Sequence, residues 1–102
     1  MLFLSLATLN LSAQDLGPIR SGIVSTNIEL RRDALFQIIN LKTEEASRLA
    51  LPALSDPNEI VRATAASAII HIPKPEALRA LIPLLSDKSE FVRRESAHAL
   101  GS

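Results

Sequence analysis

Asp56-Pro57-Asn58-Glu59-Ile60-Val61-Arg62-Ala63-Thr64-Ala65-Ala66 decides the fold, because the chain writes this stretch again. Asp87-Lys88-Ser89-Glu90-Phe91-Val92-Arg93-Arg94-Glu95-Ser96-Ala97 repeats it with Asp, Glu, Val, Arg and Ala in register. The offset is 31 residues from Asp56 to Asp87 and from Arg62 to Arg93, and it recurs from Arg31 to Arg62. A fixed period of this length marks an array of supersecondary units, none of which buries its apolar face alone.

Working outward, each copy reads as a helix, a turn and a second helix. Residues 27–40 place Leu30, Ala34, Leu35, Ile38 and Ile39 on one face. Thr26 with Glu29 makes a capping box, and Thr43 caps a second helix reaching about Leu54, with Glu44 and Glu45 in its first turn. Asp56 and Glu59 repeat the box with Pro57 at the first helical position, followed by Val61, Ala65, Ala66, Ala68, Ile69 and Ile72. A second helix starts at Pro75 and runs to Leu85. The third copy ends at Leu100 before Gly101, a natural residue for a helix C-terminus. Pro52 and Pro83 sit at the same place in successive second helices, which predicts a shared kink.

Composition agrees with closely packed helices. There is no Trp or Tyr, so the core is Leu, Ile, Val and Ala. Eleven basic residues balance eleven acidic ones, which leaves no net field to hold a polyanion. The absence of cysteine excludes a disulfide scaffold, a thiolate metal site and a cysteine nucleophile.

Residues 1–13 are apolar and uncharged, and Ser12-Ala13 supplies small residues for cleavage. They read as a secretory signal, which predicts a periplasmic or secreted protein, although no Lys or Arg precedes the apolar run. The competing reading is a degenerate first helix of an earlier unit, with Leu4 matching Leu35 and Ser12 matching Thr43, in a cytoplasmic protein. Either way the segment is too short to span a bilayer. Residues 14–26, with Gly17-Pro18 and Gly22, read as a degenerate half-unit containing a short helix from Pro18 to Val24. The remaining units are 27–55, 56–86 and 87–102, the last holding a first helix alone.

The 31-residue unit carrying Asp-x-x-Glu-x-Val-Arg-x-x-(Ala/Ser)-Ala resembles HEAT repeats, in the short bacterial form similar to those of phycobilisome lyase subunits. The resemblance implies an all-α, right-handed superhelix of the HEAT/armadillo-like kind with two and a half to three and a half helical pairs. It further implies that first helices lie on the convex side and second helices line the concave one. It also implies a stacking ladder in which Arg31, Arg62 and Arg93 meet Asp56 and Asp87, weakest where Ser25 replaces the first Asp.

The arginine column tempts a phosphate-binding reading, but a stacking role explains its repetition better. Asp33 and Glu95 offset Arg32 and Arg94, and the basic groove with aromatics of HEAT-like DNA glycosylases is missing, so no nucleic-acid partner is expected. His71 and His98 do not align and form no ligand pair. No Ser–His–Asp set, glycine-rich loop or metal cluster is present, so no enzyme and no cofactor is expected. Binding candidates are the second-helix charges Glu45 with Arg48 and Glu76 with Arg79, as i, i+3 pairs, together with Lys42 and Lys74 at the adjacent turns. The function expected is a scaffold that binds another protein through the concave second-helix face. The alternative from the resemblance is a bilin lyase-like subunit handling a tetrapyrrole on a phycobiliprotein. Val92, Ser96, Ala97 and Leu100 are expected to lack a covering helix, which points to a truncated chain, an absent partner or self-association.

Overall fold

The computed structural model describes residues 16–102. The two readings of residues 1–13 therefore lie outside the described residues. Six α-helices follow one another: α1 Leu16–Ile23, α2 Ile28–Leu41, α3 Glu44–Leu49, α4 Glu59–Ala68, α5 Lys74–Leu81 and α6 Glu90–Leu100. There is no strand among the described residues. The first helices α2, α4 and α6 begin at Ile28, Glu59 and Glu90, each 31 residues after the last. They stack in sequence, α2 on α4 and α4 on α6, so the molecule is a helical-repeat solenoid.

The second helices carry the predicted break. α3 and α5 give way to 3-10 turns at Leu51–Ser55 and Ile82–Ser86, with Pro52 and Pro83 in the first positions of those turns. Proline has no N–H to give to the carbonyl four residues back, and its ring crowds that turn. The tightened backbone brings Ala53 and Leu84 inward, and each 3-10 turn packs on the first helix of the next unit. Ser21 stands 31 residues before Pro52, and α1 stays α-helical through that position. α1 is nonetheless a second helix by its packing. It buries Leu16 and Ile19 where α3 and the residue after it bury Ser47 and Ala50. Gly22 permits its close approach to α2, since a Cβ there would lie 2.9 Å from Ala34 Cβ.

The core is small-residue rich. Ala46, Ala50, Ala63, Ala65, Ala66 and Ala68 are fully buried beside Leu35, Ile38, Val61, Ile69, Leu81 and Val92. Alanine on facing surfaces lets helix axes come near the short end of the usual 8–10 Å spacing.

Four local expectations are corrected. The helix caps are Asn27, Asn58 and Ser89, not Thr26 and Asp56, and Pro57 precedes the cap instead of opening the helix. Leu30 is 50% exposed, whereas Val61 and Val92 at the same position of later units are fully buried. The later positions are covered by the preceding first helices, α2 over Val61 and α4 over Val92. Val92 and Ser96 are buried against α4, so the uncovered edge of α6 reduces to exposed Ala97 and half-buried Leu100. Gly101 follows α6 with φ −84°, and the left-handed helix end belongs to Lys42, at φ 57° and ψ 37°.

Candidate functional site

Two rows of charge run along the array, and they have different partners. The first joins the starts of the first helices. Arg31 Nε donates to Asp56 Oδ2 at 2.8 Å and Nη2 to Oδ1 at 3.2 Å, while Nη1 donates to the Ser25 carbonyl at 2.9 Å. One unit later, Arg62 repeats the fork on Asp87 at 2.9 and 3.0 Å, and its Nη1 donates to the Asp56 carbonyl at 2.8 Å. Arg93 keeps only the backbone part, with Nη1 on the Asp87 carbonyl at 2.7 Å. Arg31 and Arg62 therefore each tie their own unit's entry loop to the next unit's, while Arg93 braces its own loop.

The acidic member does a second job. Asp56 Oδ1 accepts from the Asn58 N–H at 2.8 Å, and Asp87 Oδ1 accepts from the Ser89 N–H at 2.9 Å. Ser25 Oγ accepts from the Asn27 N–H at 3.0 Å in the same way. So Ser25 keeps the turn-forming half of the motif and lacks the carboxylate. The side chain of the following cap then accepts from the helix: Asn58 Oδ1 from the Ile60 and Val61 N–H groups, and Ser89 Oγ from Val92. Ser89 Oγ also donates to Glu59 at 3.2 Å, which adds a further link between units.

This row is half-buried, and its charges are held accordingly. The Arg62 guanidinium holds the Asp87 carboxyl below its ordinary range, first by the hydrogen bond and then by charge, helped by the Ser89 N–H and opposed by burial. Reciprocally, Asp87 raises Arg62 above its ordinary value. Every guanidinium nitrogen of Arg31 and Arg62 and both carboxylate oxygens of Asp56 and Asp87 have a partner within the array, so these two forks serve the joint between units, while Arg93 is bound through Nη1 alone.

The second row lies on the second helices. Arg48 Nη2 and Nε donate to Glu44 Oε2 at 2.7 and 3.0 Å, and Nη1 donates to Glu76 of the next unit at 2.8 Å. The expected Glu45–Arg48 and Glu76–Arg79 pairs do not form. One helical turn of spacing favours Glu44 for Arg48, and the neighbouring unit brings Arg48 closer to Glu76 than Arg79 is. Glu76 is held below its ordinary range chiefly by that hydrogen bond. Glu45 and Arg79 are exposed and have no ion pair among the described residues. Lys42 ends α2, and Lys74 in the first turn of α5 donates from its ammonium to the Ser102 carbonyl. Glu44 was missed in the sequence, although its i, i+4 spacing to Arg48 was there to be read.

The profile of HEAT repeats matches residues 18–101. The chain belongs to the HEAT repeat family. HEAT repeats serve in general as protein-interaction scaffolds, and the family is typically non-enzymatic. No curated protein matches this chain. Among the described residues no group of His, Cys, Asp and Glu could hold a metal ion, and no helix is long and apolar enough to cross a membrane.

Proposed function

We propose that this HEAT-repeat chain is a non-enzymatic scaffold or adaptor that holds another protein against the face formed by α3 and α5. The observation that carries the reading is the contrast between the two charge rows. Arg31, Arg62, Asp56 and Asp87 are consumed in joining units, whereas the second-helix row is exposed and keeps Glu45 and Arg79 without ion-pair partners among the described residues. Arg48, Glu44 and Glu76 form a fixed charged strip beside them, pre-ordered for a complementary polar surface. In the family the second helices line the concave side, where a partner is enclosed.

Arg79→Glu and Glu45→Lys test this without breaking the bridge between units. Proteins retained from a lysate of the source cell should fall severalfold for both variants, with an unchanged circular dichroism melt. Unchanged retention, protein by protein in mass spectrometry, would remove this face from consideration. The apolar stretch at residues 1–13 supports a periplasmic or secreted location in the same reading. The mature protein should then have a mass that lacks those residues.

A further inference from the structure

The face opposite the binding row carries an unexplained cleft. It runs over the first helices as an open depression of about 230 Å³ between α2, α4 and α6. Phe36, Ile60 and Phe91 line it and remain 46%, 40% and 37% exposed. Both phenylalanines of the described residues are therefore on one surface, in a chain without Trp or Tyr. Each lies under a guanidinium, with Arg32 Cζ 5.8 Å from the Phe36 ring centre and Arg94 Cζ 5.8 Å from that of Phe91.

Arg32 is the informative residue. Its Nε is buried and has no hydrogen-bond partner among the described residues, and its best ion pair is a 3.5 Å contact from Nη1 to the exposed Glu29. Of its three nitrogens only Nη1 has an acidic partner among the described residues, so the guanidinium has donor capacity to spare. Arg94 has no ion pair among the described residues, and Glu95 lines the α6 side of the cleft. One arginine thus stands at each end, and the acid that lines the cleft, Glu95, lies on the α6 side with Arg94, away from Arg32.

Size narrows the occupant. The cleft is smaller than the roughly 300–1,000 Å³ of small-molecule sites. The exposed parts of the three apolar side chains total on the order of 250 Å², given the 150–250 Å² that a whole aromatic side chain offers. A stable dimer needs about 800 Å² from each partner. The surface therefore suits one or two anchoring side chains of a short segment.

We propose that this first-helix cleft docks a short segment of another protein, in which an apolar side chain enters between Phe36, Ile60 and Phe91 and an adjacent carboxylate accepts from Arg32. Aromatic and arginine side chains at the centre of a small apolar patch are the usual carriers of binding energy. The site is separate from the second-helix row.

The test is selection of random twelve-residue peptides, displayed on phage, against the full chain. Enriched peptides should place Asp or Glu beside a large apolar residue. A fluorescent synthetic copy of the leading peptide should bind about tenfold or more weakly to Phe36→Ala and to Arg32→Gln. Arg79→Glu on the other face should leave its affinity unchanged. Enrichment that does not depend on Phe36, peptides lacking an acid, or insensitivity to Arg32→Gln would each overturn the proposal. A Phe36-dependent dimer in sedimentation velocity would overturn it as well, by assigning the cleft to a second copy.

Discussion

Asp87 carries three hydrogen bonds on two oxygens, and that economy explains why its residue type recurs with the period. One oxygen sets the turn before α6 through the Ser89 N–H, and both receive Arg62. Its carboxyl is held below the ordinary range mainly by Arg62. In the unfolded chain the same group titrates near pH 4. On acidification the unfolded state takes the proton first, so the rung's contribution is whole above about pH 4 and disappears as pH falls through the lower folded value. Asp87→Asn should therefore be less stable than the parent at pH 7, with the gap narrowing as pH falls below about 4 in urea unfolding. A gap independent of pH would contradict the charged rung. The repeated Asp and Arg were legible in the sequence, as was their pairing through the family resemblance. The cap one step further on was misplaced, because Asp56 and Glu59 make a plausible box while Pro57 hides that the helix starts later. The 31-residue spacing of Asn27, Asn58 and Ser89 was the signal for it.

Helix ends show the same division. Asn27 accepts from the Glu29 and Leu30 N–H groups, while Thr26 makes no cap. Asn27→Ala should cost about 1 kcal/mol, and Thr26→Ala should stay within about 0.5 kcal/mol, both read from chemical denaturation. At the other end of α2, Lys42 holds a left-handed backbone that costs an L-residue roughly 1–2 kcal/mol. Lys42→Gly should raise the melting temperature by a few degrees, net of the entropy glycine loses on folding. The shared irregularity at Pro52 and Pro83 was legible as a kink because two prolines fell at one place, but the end of the α-helix there and the change to 3-10 were not. Leu30 was not, because apolar periodicity identifies a face without saying which neighbour is there to cover it. The partners of Arg48 were illegible for a similar reason: Glu76 lies 28 residues away and is brought near only by stacking.

At the scale of the molecule, the conspicuous motif and the candidate binding surface are different things. Arg31 and Arg62 reach into the next unit and are engaged there, and the recognition we propose falls to second-helix charges and to the cleft over the first helices. An array of this kind gains stability from each interface between units in addition to the units themselves. The rungs at Arg31–Asp56 and Arg62–Asp87 should then be worth more than surface ion pairs, because their geometry is bidentate and half-buried. A double-mutant cycle over Arg62→Ala and Asp87→Ala, followed by urea unfolding at pH 7, isolates that interface contribution. The predicted coupling is about 2 kcal/mol, above the 0.2–1 kcal/mol typical of exposed pairs. Additivity within about 0.5 kcal/mol would show that the repeated arginine does not join the units, and would return it to the pool of ligand-binding residues.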